Sequence, residues 1–307
     1  MRVACATMVL VAVICGGWLP CAAQPKAAER DRLLAVQVLL DRARFSPGEI
    51  DGASGSNTAR AIEAFERARG VSIGEAVAGA TEPATVTYTI GEEDVNGPFV
   101  DAIPNDMMEK AKLPRLDYTS TLELLAERFH AAPALLRRLN PSASFAAGES
   151  ILVPNVMVAV VTTPPAAPPA AAVTVTVSKS KSTLVVADTS GQIVYQAPAT
   201  TGSEHDPLPI GEWIVTGVAH NPKFHYSPDL FWDADPGHAK ATIPAGPNNP
   251  VGLVWIDLNK PHYGIHGTPE PGAVGHAASH GCVRLTNWDV MAVAGLVAKG
   301  TKVVFVE

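Results

Sequence analysis

The spacing of apolar and polar residues divides the chain into stretches of different periodicity. From Arg30 onward, Leu33, Leu34, Val36, Gln37 and Leu40 recur at helical spacing. A second helix is expected from Asn57 or Thr58, with Ile62 and Phe65 facing inward. Between them, Phe45-Ser46-Pro47-Gly48-Glu49-Ile50-Asp51-Gly52 is rich in turn formers. Further on, Ser120 followed by Glu123 reads as a capping box, and Leu122, Leu125, Ala126 and Phe129 fall on one helical face. Pro133 suits the first turn of a second short helix containing Leu135, Leu136 and Leu139, which Asn140-Pro141 ends. Gly148, Ile151, Val153, Pro154 and Asn155 then read as a closing turn and strand. Residues 162–172 are almost wholly Thr, Pro and Ala, a composition that stays extended and builds no core.

Past that boundary the period changes to two. Val173, Val175 and Val177 alternate with Thr174 and Thr176. Residues 184–187 and 192–197 flank Asp188-Thr189-Ser190-Gly191, a hairpin signal. Further strands are expected over 213–218, 251–258, 263–265 and 303–306. One helix interrupts them: Thr286 and Asp289 cap its start, Met291, Ala294 and Val297 share a face, and Lys299-Gly300 closes it. The expected fold is multidomain: a mainly-β sandwich or barrel with one or two helices, preceded by a small α-helical module and a small α+β module.

Composition sharpens this picture. The chain has 307 residues, 47% hydrophobic and 17% charged, with a formal net charge of -7. That is globular material of two or three units, without the basic stripe of a nucleic-acid binder. Residues 1–23 read as a signal peptide: Arg2, an apolar run from Val3 to about Leu19, then small residues for cleavage after Ala23. Export to the periplasm is therefore expected, with an uncleaved anchor as the other reading. Cys5, Cys15 and Cys21 lie in that segment, so cleavage would leave Cys282 as the single thiol. A lone thiol in an oxidising compartment is a liability unless it is buried or used.

The neighbours of Cys282 favour use. Eight of the nine histidines lie after residue 173, and the densest run holds His266-Gly267-Thr268 and Ser279-His280-Gly281-Cys282-Val283-Arg284. A histidine near a thiol can take its proton and later protonate a leaving amine. Gly281 allows close substrate approach and an unusual backbone angle, and N–H groups near Cys282 could hold an oxyanion. Spacing alone leaves both His266 and His280 open as the base. A zinc site of His262, His266, His276, His280 and Cys282 is opposed by Pro261, Gly264, Gly267 and Gly275, which prevent the helix that would converge these ligands. No metal and no other cofactor is expected.

Residues 173–307 resemble the L,D-transpeptidase catalytic domain, also called the YkuD domain. The match rests on His266-Gly267-Thr268, a gap of twelve residues from Gly267 to Ala278, and Ser279-His280-Gly281-Cys282-Val283-Arg284. It extends to Thr201-Gly202, Pro207-Leu208-Pro209-Ile210-Gly211, Asn221-Pro222 and Ile243-Pro244-Ala245-Gly246-Pro247-Asn248-Asn249-Pro250. Leu208 stands where the family often has Thr. The resemblance implies Cys282 as nucleophile and His266 as general acid/base, oriented by the Gly267 carbonyl. It implies that His280 and Gly281, within the Ser279 loop, shape the oxyanion pocket. Arg284 would brace that loop or meet a substrate carboxylate, and Tyr263 would line the pocket.

Two further resemblances precede it. Residues 30–74 are similar to peptidoglycan-binding-like domains, through Val36-Gln37, Leu39-Leu40, Phe45, Pro47-Gly48, Ile50-Asp51-Gly52, Gly55, Thr58, Ala61-Ile62 and Phe65. Residues 112–157 resemble a LysM module of strand-helix-helix-strand order, with Thr119-Ser120-Thr121 replacing the usual Gly-Asp. Residues 158–172 would be the linker, leaving both modules to serve location rather than chemistry. The implied reaction is acyl transfer from a peptidoglycan tetrapeptide stem through a Cys282 thioester. The acceptor would be a second stem, an outer-membrane lipoprotein lysine or water. The alternatives are an L,D-carboxypeptidase or endopeptidase on the same nucleophile, and a non-catalytic scaffold that binds stem peptides and glycan.

Overall fold

The computed structural model describes residues 27–156 and 172–307. The signal segment and all but the last residue of the expected linker lie outside the described residues.

The first helical texture becomes α1 (Ala27–Arg42), α2 (Ser56–Arg69) and α3 (Ile73–Ala78). Val36, Leu40, Phe45, Ala61 and Phe65 bury one another, with the Phe45 and Phe65 rings edge-on at 5.6 Å. Gln37 is buried within the apolar stripe because it organises the turn. Its Oε1 accepts the Asp51 and Gly52 N–H groups, and its Nε2 donates to the Asp51 carboxylate. Gly52 takes φ +69°, the left-handed region that glycine tolerates.

The next unit runs β1 (Thr85–Thr89), α4 (Glu92–Val95), α5 (Met107–Lys110), α6 (Thr121–Arg128), α7 (Pro133–Leu139) and β2 (Ser150–Pro154). β1 pairs antiparallel with β2, Thr85 opposite Pro154 and Thr89 opposite Ser150. The boundary expected at residue 112 is thus corrected: the strand that completes this unit precedes it, with α4 and α5 in between. Ser120 caps α6 by accepting the Glu123 N–H. The Glu123 carboxylate does not close a box on Ser120; it accepts from the Thr119 N–H and from Asn248.

The last unit contains β3 (Val173–Ser178), β4 (Thr183–Asp188), β5 (Ile193–Pro198), β6 (Gly211–His220), β7 (Phe224–Tyr226), β8 (Ala241–Ile243), β9 (Val254–Leu258), β10 (Gly264–His266), β11 (Val283–Arg284), α8 (Asn287–Ala294) and β12 (Lys302–Val306). The mainly-β unit expected from strand content is one curled eight-stranded sheet in the order β11-β10-β9-β6-β12-β3-β4-β5, beside a separate β7–β8 hairpin, and its two end strands approach each other where Thr200, just past β5, bridges to Arg284 of β11. β6 bridges its two halves. It pairs with β12 through residues 211–214 and with β9 through residues 215–220, and its register shifts between Val215 and Gly217. A strand that serves two partners in this way bends at the irregularity.

Period-two burial supplies the core: Val173, Val175, Val177, Leu184, Val186, Ile256, Ile265, Val283, Val303 and Phe305 pack together with Val290 and Val293 of α8. α8 ends at Ala294, short of the expected Lys299, and Met291 is 50% exposed rather than on the buried face.

The units are not held apart as a flexible linker would suggest. The Ser46 N–H donates to the Gln196 carbonyl, and the Gln196 N–H donates to that of Arg44. Leu116 packs with Tyr226 and Ile243, and the His130 ring stacks on Trp288 at 5.0 Å. Among the described residues no helix is long and apolar enough to cross a membrane.

Candidate active site

The site is built where β10 and β11 lie side by side. They are parallel, with Ile265 opposite Val283 and His266 opposite Arg284. Residues sixteen or more positions apart in sequence thereby come to neighbouring places at one sheet edge. The loop before β11 is held from outside the sheet: the Ser279 N–H donates to the Thr201 carbonyl, and Thr200 and Arg284 exchange backbone hydrogen bonds at 2.9 Å. The Ser279 hydroxyl closes the loop on itself by donating to the Cys282 carbonyl at 2.6 Å.

Gly281 is required by two independent constraints. Its φ is +96°, and a Cβ there would lie 2.7 Å from Cε1 of Tyr263. Tyr263 therefore packs directly over the residue preceding Cys282. The Cys282 thiol is partly exposed and contacts the His262 carbonyl at 3.5 Å. Burial pushes its pKa up, against a backbone hydrogen bond from Gly264 and the positive charge of Arg284.

His266 is 4% exposed. Its Nδ1 lies 2.7 Å from the Gly267 carbonyl oxygen. A carbonyl can only accept, so Nδ1 carries the proton and Nε2 keeps its lone pair. Its pKa is pushed down to about 3, by burial first and then by the Arg284 charge, with the Gly267 hydrogen bond opposing. The resting pair is thus a neutral imidazole and a neutral thiol. The ring stacks on Trp255 at 5.4 Å and 16°. Trp255 in turn leaves no room for a side chain at Gly264, where a Cβ would lie 2.5 Å from its ring.

His280 turns to a different partner. Its Nε2 is 2.7 Å from Asp233, and its ring meets Phe231 edge-on at 5.1 Å. It thereby anchors the segment between β7 and β8 to the loop carrying Cys282. Arg284 Nε is buried without a partner, and burial lowers the guanidinium pKa.

Cys282, His266, His280, Arg284 and Tyr263 all line one pocket of about 1030 Å³. Its opposite wall comes from the β7–β8 hairpin, including Phe231, Asp233 and His238, and Met107 reaches it from α5. Ser279, Gly267 and Gly281 are chain neighbours of lining residues and do not line it themselves. Sequence reasoning missed Trp255, Asp233 and Phe231. Asp233 lies 47 positions from its partner His280, and no periodicity marks such a contact. Among the described residues, no group of three or more His, Cys, Asp or Glu is arranged to hold a metal ion.

Residues 172–305 match the family described as YkuD, L,D-transpeptidase catalytic domain. The putative L,D-transpeptidase YkuD of Bacillus subtilis is 29% identical over 185 residues, covering 60% of this chain and 92% of that protein. Such a span cannot fit inside 172–307, so the similarity reaches residues ahead of the catalytic unit. The probable L,D-transpeptidase YbiS of Escherichia coli is 43% identical over 67 residues, 22% of each chain. Among solved structures, L,D-transpeptidase 3 from Mycobacterium tuberculosis, in complex with a faropenem-derived adduct, aligns with a TM-score of 0.37 at 22% identity. That alignment covers 44% of this chain and 60% of the solved one. An L,D-transpeptidase from Mycobacterium smegmatis aligns with a TM-score of 0.35 at 20% identity, over 58% of its length. The chain thus spans less than two thirds of these solved chains.

Proposed function

For a chain that belongs to the YkuD L,D-transpeptidase family through residues 172–305, we propose cysteine acyl transfer on peptidoglycan stem peptides, with Cys282 as nucleophile and His266 as general acid/base. The observation that carries this reading is the one thiol among the described residues, in the same pocket as an imidazole whose Nδ1 is committed to the Gly267 carbonyl. Nε2 is then the free base.

The Cys282 sulfur attacks the carbonyl of the third stem residue as His266 Nε2 takes the thiol proton. The amide C–N bond breaks, and the imidazolium returns its proton to the departing D-alanine amine, leaving a thioester. An incoming amine then attacks the thioester and yields a proton to His266, the C–S bond breaks as the new amide forms, and the imidazolium returns the proton to the departing sulfur to restore the thiol. A second stem gives a cross-link, a lipoprotein lysine gives an anchored lipoprotein, and water gives trimming. The neutral resting pair suits this cycle, because the imidazole is charged only while it carries the transferred proton.

The pocket's polar groups support a zwitterionic stem residue. Arg284 offers a guanidinium with an unpartnered Nε, and Asp206, Asp229, Asp233 and Asp235 supply negative charge around the walls. Work in the periplasm follows from the substrate and from the export signal expected over 1–23. The two N-terminal units would add contacts to glycan or stem peptide.

The test is mass spectrometry of muropeptides after incubation of disaccharide-tetrapeptide with the purified protein. Loss of the terminal D-alanine, with cross-linked dimers, is expected from the wild type, and no turnover from Cys282→Ala. A folded Cys282→Ala variant that still converts substrate would overturn the mechanism.

A further inference from the structure

The pocket wall facing Cys282 is held by a part of the chain far from it in sequence. α5 belongs to the unit that β1 and β2 close, yet it packs against the β7–β8 hairpin. Met107, Met108 and Phe231 lie on a small core of Leu116, Tyr226 and Ile243. The Met108 sulfur accepts the Ala239 N–H at 3.4 Å. Just beyond α5, the Leu116 N–H donates to the Ala245 carbonyl and the Asn248 N–H donates to that of Leu116, each at 2.9 Å. Gly246, at φ +144°, lets these two backbones touch, since a Cβ there would fall 2.1 Å from the Leu116 oxygen.

His238 closes the contact on the pocket side, with 13% of its side chain exposed. Its Nδ1 lies 2.9 Å from the Tyr226 hydroxyl, and its Nε2 lies 2.8 Å from the Asp106 carboxylate. A carboxylate only accepts, so Nε2 donates. Asp106 is also the N-cap of α5, and its other oxygen accepts the Glu109 N–H at 2.9 Å. One carboxylate thus ties the start of α5 to the imidazole of the hairpin. The segment between β7 and β8 is held elsewhere by His280, through Asp233 and Phe231. It is therefore strung between the loop carrying Cys282 and α5. Met107 and His238 line the pocket with Cys282, whereas Asp106 stands behind it.

We propose that Met107 is a substrate-contacting residue for the aliphatic part of the stem peptide, and that Asp106 and His238 are positioning residues that seat it. The unit ahead of the linker then supplies part of the substrate site. This rests on the stem-peptide reading of the pocket. α5 has four residues, and one helical turn does not hold itself in place. Its cap and its tie to His238 therefore decide where Met107 sits. An unbranched thioether suits such a wall, because it adapts to an irregular aliphatic surface.

The experiment is titration calorimetry of disaccharide-tetrapeptide into the full-length protein carrying Cys282→Ala, which removes turnover. Adding Met107→Ala is expected to weaken binding about tenfold, as the loss of one apolar contact surface would. Adding Asp106→Ser is expected to weaken it about threefold or more, since serine still caps α5 but is too short to reach His238. Adding Asp106→Asn keeps the cap and a polar contact to the ring, and is expected to bind as the parent does. A merely structural loss would lower the competent fraction, read as stoichiometry, at unchanged Kd. Parent affinity in Met107→Ala overturns the proposal. So does parent affinity in Asp106→Ser, an Asp106→Asn as weak as Asp106→Ser, or a change confined to stoichiometry. Turnover of the same muropeptide by the wild type is measured alongside. Affinities ranked as expected without turnover would sink the acyl-transfer reading alone, and turnover with unchanged affinities would sink only the role of α5.

Discussion

His266 and His130 occupy matching surroundings and are held in opposite protonation preferences. Each stacks nearly parallel on a tryptophan: His266 on Trp255 at 5.4 Å, His130 on Trp288 at 5.0 Å. Each uses Nδ1 for one short contact, to the Gly267 carbonyl in one case and to the Asp41 carboxylate at 2.9 Å in the other. Burial disfavours the imidazolium in both. At His266 nothing outweighs it, because the nearest strong charge is Arg284, and the pKa falls to about 3. At His130, which keeps 25% of its side chain exposed, Asp41 outweighs burial, helped by Asp289 and Glu127, and the pKa is raised. The choice between carbonyl and carboxylate thus biases one imidazole toward its neutral form and the other toward its protonated form.

Removing each ring should break the comparison most strongly. His266→Ala should lower turnover about 10²–10⁴-fold, the usual worth of general acid–base catalysis, with little change in folding. His130→Ala should leave turnover near the wild-type value and instead lower stability by about 1–3 kcal/mol, since it strands the Asp41 carboxylate. Steady-state rates on muropeptide and urea unfolding curves measure the two. If His130→Ala lost turnover as His266→Ala does, the two histidines would not differ in kind.

The sequence showed the chemistry of this site more clearly than its surroundings. His266, Gly267, Ser279, Gly281 and Cys282 are legible because turn, thiol and imidazole occupy short tripeptide-scale motifs. The strands from Val173 onward are legible because one face is buried, so polarity alternates. Thr85-Val86-Thr87-Tyr88-Thr89 carries the same alternation, and β1 could have been found from it. Other features depend on contacts that leave no local mark. Glu123 completes a capping-box pattern, yet its carboxylate goes to Asn248, 125 positions away. The Thr/Pro/Ala run suggested separable modules, but a linker's composition says nothing about whether the units it joins also touch. Asn287 reads as a helix-start residue, and its wedge between Gly252 and Gly267 exists only once three distant segments are assembled.

Acid should act on the two regions with opposite sign. Burial is the main cause raising Asp289 to about 6 and Glu127 to about 7. A carboxyl raised in the fold binds its proton more tightly there than in the unfolded chain. Its contribution is fully present below the unfolded value and is lost as pH rises through the folded one. His130, raised above 6.5, acts in the same direction. His266 does the reverse. Depressed to about 3, it favours the fold above 6.5, and that stability is lost as pH falls toward 3. Asp289→Asn removes one titration from the inter-unit side. Its stability relative to wild type should therefore rise by on the order of 2–3 kcal/mol between about pH 4 and about pH 8. Unfolding curves at both pH values decide this. A pH-independent difference would mean that Asp289 does not titrate in the fold.

The smallest effects come from changing the neighbours and leaving the rings in place. Asp41→Asn removes the main influence holding His130 up, both its charge and its hydrogen bond. Burial is then opposed only by Asp289 and Glu127, and the His130 pKa should fall. Arg284→Met removes only the second cause at His266, and burial, the first, remains. Its pKa should rise yet stay below 6.5. Neutralising the neighbour should thus move the two histidines in opposite directions, His130 down and His266 up. Titrations of the imidazole carbon-bound protons by NMR in each full-length variant give both values. A His266 that titrated above 6.5 in Arg284→Met would mean that charge rather than burial keeps this imidazole neutral.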